Sequence, residues 1–88
     1  MIVLIDKTFE KDIKKIRDKK LISEMLKQIN LIKAATTIDG ITGIKKLTGY
    51  RSYFRIRIGD YRIGIFLNQN SVELIRFLHR KDIYKFFP

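Results

Sequence analysis

Two runs of alternating residues on either side of Gly59-Asp60 constrain the fold most. The stretch YFRIRIGDYRIGIF spans Tyr53 to Phe66. Gly at the first position of a two-residue turn tolerates the positive φ that a tight hairpin needs. A turn at this point pairs Ile58 with Tyr61, and side chains then alternate between the two faces of the sheet. One face of the predicted hairpin is apolar and belongs to the core: Phe54, Ile56, Ile58, Tyr61, Ile63 and Ile65.

The other face of this hairpin combines cations with aromatic rings. It carries Tyr53, Arg55, Arg57, Arg62, Gly64 and Phe66. The predicted register sets Arg57 directly opposite Arg62, and like charges in that position are destabilising. Gly64 leaves a gap beside Arg55. Because a merely solvated face more often mixes signs, the pattern favours an anion-binding surface.

The rest of the chain predicts an α+β fold. Ile2 to Ile5 suits a short strand. Apolar stripes at helical spacing predict one helix from about Thr8 and a second from Ile22 to near Ala34. A third long strand covers 72–78. We expect a single domain, 1–88, with the strand and helix pair packed on an antiparallel sheet. The tail is expected to be short, helical or irregular, and anchored by Tyr84, Phe86 and Phe87.

Charge and composition narrow the range of partners. Lys and Arg number 19 against 9 Asp and Glu, a formal net charge of +10. Such an excess favours an anionic partner, nucleic acid above all. The absence of cysteine and the single His79 argue against thiolate or histidine-rich metal sites, and no cofactor is expected. No apolar run approaches the ~18 residues that span a bilayer, and no secretory signal is evident, which predicts a cytoplasmic protein without membrane contact.

Cleavage of RNA would require few catalytic groups from this surface. Its 2′-OH is the nucleophile, so the protein supplies a proton acceptor, cations for the charge on phosphorus and a proton donor. If the last strand lies beside the hairpin, its end can bring His79, Arg80 and Tyr84 to the arginine face. Taken singly, most of these residues have an ordinary structural explanation; taken together they favour nucleic acid. The predicted binding residues are Lys45, Lys46, Tyr53, Arg57, Arg76 and Lys81.

The runs KKLTGYRSYFRIRIGDYRIGIF and LIRFLHRKDIYKFFP resemble the RelE/ParE superfamily of bacterial and archaeal toxins, in particular its RelE-like branch. The resemblance extends over nearly the whole chain. It implies a small α+β toxin of a type II toxin–antitoxin pair. Such a toxin enters the ribosomal A site and cuts mRNA by 2′-OH attack without a metal. Its expected partners are the ribosome, mRNA and an acidic, partly disordered, RelB-like antitoxin.

The resemblance also implies roles for single residues. Arg62 matches the arginine that contacts the scissile phosphate, and Arg55 matches the basic residue seven positions earlier. The next basic position falls on Tyr53, which leaves the general base open. Arg80 and Tyr84 match the basic residue and the tyrosine near the C-terminus, and His79 is a candidate acid or base. The predicted catalytic set is Arg55, Arg62, His79, Arg80 and Tyr84.

Two other functions remain open at this point. A ParE-like inhibitor of DNA gyrase would share the fold but would not need an RNA-cleaving group. A non-catalytic nucleic-acid-binding module would explain the charge, although not the convergence of cations with His79 and Tyr84.

Overall fold

The computed structural model describes residues 1–88 and contains five strands and three α-helices. In chain order they are β1 (Ile2–Ile5), α1 (Lys7–Lys14), α2 (Lys19–Ala34), β2 (Ile44–Lys46), β3 (Tyr53–Ile58), β4 (Tyr61–Asn68), β5 (Ser71–His79) and α3 (Ile83–Phe86). A single 3₁₀ turn, Ile38–Gly40, lies in the loop between α2 and β2. The predicted α+β class is confirmed. No helix combines the length and the apolar character needed to cross a lipid bilayer.

The strands form one sheet in the spatial order β1-β5-β4-β3-β2. The β3–β4 hairpin has the predicted register: Ile58 faces Tyr61, and Arg57 faces Arg62. Two features were not predicted. The short strand β2 pairs with β3, and β1 runs parallel to β5. Parallel strands need a long crossover connection, and here the chain between β1 and β5 includes both helices and the other three strands.

Both long helices pack on one face of the sheet. Each begins at an aspartate: Asp6 accepts a hydrogen bond from the Thr8 N–H at 3.0 Å, and Asp18 accepts from the N–H groups of the first turn of α2. These caps satisfy backbone donors that a helix start leaves unpaired. The apolar stripes then pack on the predicted core face of the hairpin. The most buried side chains of this core include Phe9, Met25, Ile32, Ile56, Ile63, Ile65, Val72, Leu74 and Phe77.

A smaller cluster covers part of the opposite face, where the C-terminal segment folds back. Leu47, Ile83 and Phe87 are its buried members. The ring of Phe87 lies directly over Gly64: a Cβ on that glycine would stand 2.8 Å from three of the ring atoms. The gap predicted beside Arg55 is therefore filled by Phe87. The expectation that Tyr84 and Phe86 would anchor the tail was wrong, because both side chains are exposed.

A buried carboxylate joins α1 to β5. Asp12 accepts hydrogen bonds from Nε and Nη2 of Arg76, at 2.8 and 3.1 Å, and from the Phe77 N–H at 2.9 Å. β1 ends opposite Leu74, so the Phe77 N–H lies beyond the last residue of the neighbouring strand. Asp12 supplies the acceptor that a longer β1 would have provided. The guanidinium of Arg76 also lies 5.9 Å from the centre of the Phe86 ring.

Candidate functional site

The cations of the hairpin share the sheet face opposite the two long helices. Residues in direct register lie on the same face of a sheet. Lys45 pairs with Arg55, and Arg57 pairs with Arg62. Three adjacent strands therefore present positive side chains side by side. The predicted grouping of Arg55 and Arg62 on a single surface is what the structure shows.

Arg62, which is half-buried like Arg55, is the member of this group whose side chain is held by hydrogen bonds. Its Nη1 donates to the carbonyl oxygens of Gly59, at 3.0 Å, and Tyr61, at 2.9 Å. Burial lowers the pKa of Arg62, and repulsion from Arg55, and then from Arg57 and Arg80, lowers it further, while Tyr84 acts in the opposite direction. No carboxylate pairs with Arg62, because the one salt bridge of the structure joins Arg76 to Asp12. A bound anion would relieve this crowding of positive charge.

A cleft of about 400 Å³ opens beside Arg55. Its lining comes from the end of β2, from the segment that joins β2 to β3, from β3 and from the C-terminal tail: Lys46, Leu47, Thr48, Tyr50, Arg55, Tyr84, Lys85, Phe87 and Pro88. Tyr84 is 60% exposed here, so its phenol is open to a ligand. The arrangement places one half-buried arginine and one accessible phenol on the same cavity.

Two further cations border this region. Arg80 directly follows β5, and its N–H donates to the carbonyl oxygen of Asp60 at 2.7 Å, which holds it beside the hairpin turn and near Arg62. Lys81 comes next in the chain and is exposed, as are Arg57, Lys45 and Lys46. These side chains are available to bind phosphates.

His79 does not reach the arginine face. It lies in register with Tyr61, on the helix-covered side, with their rings edge to face at 5.5 Å. Its Nδ1 accepts the Lys81 N–H at 3.1 Å. It lines a separate cavity of about 410 Å³ together with Asp12 of α1 and with Lys15 and Ile16, which follow that helix. The expectation that His79 would join the catalytic group was therefore wrong.

A β-bulge explains the position of His79. The register of β4 with β5 shifts between Gly64 and Ile65, leaving Ile75 as an extra residue in β5. Before the bulge the core-facing residues are Val72 and Leu74; after it Phe77 faces the core. The extra residue moves the odd-numbered positions after it to the core face, so His79 lies on the helix side together with Phe77.

Two predicted binding residues are occupied within the fold. Arg76 was predicted to bind nucleic acid, but its guanidinium is held by Asp12. Tyr53 was predicted to stack on a base, but its half-buried ring already contacts Tyr50, Phe66 and Phe87, with centroid distances of 5.7, 5.2 and 5.6 Å. We therefore correct both assignments: Arg76 ties β5 to α1, and Tyr53 belongs to an aromatic cluster.

Sequence reasoning also overlooked residues that border the cleft. Tyr50 and Lys85 both line it, and neither was among the predicted site residues. The available signal was the Gly49-Tyr50 pair directly before the hairpin, where an aromatic residue follows a turn glycine. No group of three or more His, Cys, Asp or Glu side chains in the structure could hold a metal ion.

The fold is that of the RelE/ParE class of toxins. Residues 3–84 match the family model described as ParE toxin of type II toxin–antitoxin system, parDE. The chain belongs to this family of toxins. It is 43% identical over 93 residues to Toxin RelE3 of Methanocaldococcus jannaschii, an overlap that covers 100% of both chains.

Solved structures agree with this assignment. The crystal structure of the RelB–RelE antitoxin–toxin complex from Methanococcus jannaschii superimposes with a TM-score of 0.82 at 38% identity, covering 97% of this chain and 99% of that one. The YoeB dimer from Staphylococcus aureus follows with a TM-score of 0.69 at 19% identity, covering 86% and 92%. The second similarity concerns the fold alone. The chain is a RelE-like toxin of a toxin–antitoxin system, and the predicted family is confirmed.

Proposed function

We propose that this toxin is a ribosome-dependent endoribonuclease that cuts mRNA in the A site by attack of a ribose 2′-OH on the adjacent phosphate. The observation that carries the proposal is the pairing of strands that sets Arg55 and Arg62 on one face, without carboxylate partners, while Tyr84 borders the same surface. An enzyme of this kind needs cations around a phosphate and a group that moves a proton.

In the proposed mechanism, Arg62 and Arg55 hold the phosphate. Their planar guanidinium groups can donate two parallel hydrogen bonds to its oxygens. As the 2′-OH gives up its proton to solvent water and its oxygen bonds to phosphorus, negative charge grows on the non-bridging oxygens, and the two cations stabilise it. The bond to the 5′-oxygen then breaks, leaving a cyclic phosphate on one fragment and a 5′-OH on the other.

Tyr84 is the proposed proton donor to the departing 5′-oxygen. Of the two groups that the sequence suggested for moving protons, Tyr84 borders the cleft and His79 lies on the other side of the sheet. The phenol is exposed, and it acts to raise the pKa of Arg62, which places it near that guanidinium. A positioned general acid contributes about 10²–10⁴-fold to a rate.

The exposed cations around the cleft are proposed to hold the RNA backbone. Arg80 lies beside Arg62, while Lys45, Lys46, Arg57 and Lys81 extend the positive surface. Contacts of this kind fix the register of a nucleic acid without reading its sequence. Messenger or ribosomal RNA phosphates are the proposed ligands of these side chains.

A cognate antitoxin is the proposed second partner. The structural neighbour from Methanococcus jannaschii is a toxin bound to its antitoxin RelB. The net charge of +10 favours a partner that is acidic over the segment that binds the toxin. Covering the arginine face with such a segment would block access to RNA.

The decisive test is cleavage of mRNA by Arg62→Ala on purified ribosomes, with primer extension to map new 5′ ends. Removing one preorganised donor from a developing oxyanion costs about 10²–10³-fold in rate, and we expect a loss of this size with an unchanged circular-dichroism spectrum. Arg17→Ala is the matched control, since Arg17 is exposed just after α1. Parental cleavage by Arg62→Ala would refute the assignment.

Inhibition of DNA gyrase is the second candidate, because the matching family model is described by its ParE toxins. The two functions separate in one experiment. Loss of gyrase supercoiling by the purified toxin, without new mRNA ends on ribosomes, would favour gyrase. New mRNA ends without loss of supercoiling would favour the endoribonuclease.

A further inference from the structure

Tyr50 is exposed but held in place. It lies in the segment between β2 and β3, where Gly49 has a φ of +86°. That left-handed conformation suits glycine and turns the chain sharply. On either side of the turn, the Tyr50 N–H donates to the Leu47 carbonyl at 3.3 Å, and the Leu47 N–H donates to the Tyr53 carbonyl at 2.9 Å. The backbone that carries the Tyr50 ring is therefore fixed to the sheet.

The ring itself is supported on one side. Tyr50 meets Tyr53 edge to face at 5.7 Å, and Tyr53 in turn contacts Phe66 and Phe87. Such pairs add to the free energy gained from burial and restrict the rings to one arrangement. The Tyr50 side chain nevertheless remains 48% exposed. A rigid aromatic surface with one open side loses little conformational entropy when a flat ligand stacks on it.

The surroundings of Tyr50 are those of a nucleotide site. It lines the 400 Å³ cleft with the cations Lys46, Arg55 and Lys85 and with Tyr84. No Asp or Glu side chain borders the cleft. Its volume lies within the range of small-molecule pockets, about 300–1,000 Å³. Cations that follow a phosphate backbone, set beside an exposed ring, are how proteins bind unpaired nucleotides.

We propose that Tyr50 is the stacking platform for one unpaired base next to the bond that is cut, and that the tyrosine cleft (the cavity lined by Tyr50, Arg55 and Tyr84) is a base-binding subsite. The inference rests on the proposed endoribonuclease function. Arg55 holds the phosphate of the same nucleotide, while the base lies against Tyr50. Stacking accepts every base, so the subsite positions the nucleotide more than it selects a sequence.

The test uses ribosome-bound mRNA in which the nucleotides flanking the cleaved bond carry either a base or, one at a time, an abasic ribose that keeps its 2′-OH. Tyr50→Ala and Tyr50→Leu should each lower the cleavage rate of base-containing mRNA about fivefold or more, as loss of one stacking contact does. Tyr50→Phe should restore the rate, since it keeps the ring. With one abasic template, Tyr50→Ala and the parent toxin should cut at equal rates, because the contact is already lost. Leu31→Ala, an exposed truncation on α2, is the control for surface changes.

The outcomes separate this inference from the proposed function. If the parent toxin cuts no template, the endoribonuclease proposal itself fails. If the parent cuts and Arg62→Ala does not, but Tyr50→Ala cuts base-containing mRNA at the parental rate, the subsite alone is refuted. A Tyr50→Ala defect of equal size on every abasic template would also refute it, since the residue would then act through ribosome docking. Normal cleavage with weakened inhibition by the antitoxin would assign Tyr50 to a protein interface instead.

Discussion

Gly64 of β4 and Phe87 of the C-terminal tail occupy complementary positions: the ring lies where any larger residue at position 64 would place its Cβ. This contact carries the tail across the arginine-bearing face and makes it one wall of the cleft. The cleft therefore depends on a residue that has no side chain.

We expect Gly64→Ala to displace the Phe87 ring. Overpacking of this kind costs about 1–3 kcal/mol of unfolding free energy. Urea unfolding measures the loss, and Gly40→Ala is the matched control, because a Cβ there meets its nearest atoms only at 3.9–4.0 Å. The double variant Gly64→Ala/Phe87→Ala should be no less stable than Phe87→Ala alone. If the double variant lost the sum of the unfolding free energies that the two single variants lose, the proposed clash between position 64 and the Phe87 ring would be contradicted.

Asp12→Ala should destabilise the fold by about 3 kcal/mol, because it leaves the guanidinium of Arg76 and the N–H of Phe77 without their acceptor. Urea unfolding is again the measurement. Asp39→Ala removes an exposed carboxylate that makes no side-chain hydrogen bond, so its midpoint should match that of the parent. Equal midpoints for Asp12→Ala and Asp39→Ala would show that the buried carboxylate adds no net stability.

The two sides of the sheet predict opposite results for His79 and Tyr84. Tyr84→Phe should lower the rate of mRNA cleavage by about 10²-fold or more, since the proposed proton donor is lost. His79→Gln should cut at close to the parental rate, because the imidazole lies on the helix side. Single-turnover cleavage on ribosomes compares the two. A severe defect in His79→Gln with a normal fold would place the chemistry elsewhere.

Arg62→Lys should make cleavage sensitive to alkaline pH. The surroundings that lower the pKa of Arg62, namely burial and the nearby arginines, act in the same direction on an amine, whose ordinary pKa is about 10.4. A cation with a lowered pKa loses its charge as the pH rises, so the rate of R62K should fall with increasing pH over a range where the parent rate is level. Parallel pH profiles for the two proteins would show that the site does not lower the pKa of the lysine amine.

The hairpin could be predicted because its information is local. A glycine turn and strict alternation fix both the register and the face of each residue. The pairing of Arg57 with Arg62 could therefore be predicted from the sequence alone. The helix caps are also local, but the predicted helices began at about Thr8 and at Ile22, later than the observed starts after Asp6 and Asp18, because an apolar stripe does not mark the polar first turn.

The side of the sheet reached by His79 could not be predicted in the same way. β5 is apolar on both faces, so its sequence does not show which residues face the core. The bulge at Ile75 then moves every later residue to the opposite face from the one that simple alternation predicts. The ion pair between Arg76 and Asp12 was not predicted for a related reason: the two residues lie 64 positions apart in the chain. Hydrophobic periodicity and turn residues describe only near neighbours in the chain, so they cannot predict an ion pair between residues this far apart.

The parallel pairing of β1 with β5 has a consequence for synthesis. β1 is synthesised before its hydrogen-bonding neighbour β5, which spans residues 71–79, and the tail that walls the cleft comes later still. Contacts so distant in sequence cannot form until both segments have emerged. A nascent chain therefore remains without its cleft until β5 and the C-terminal tail have both emerged.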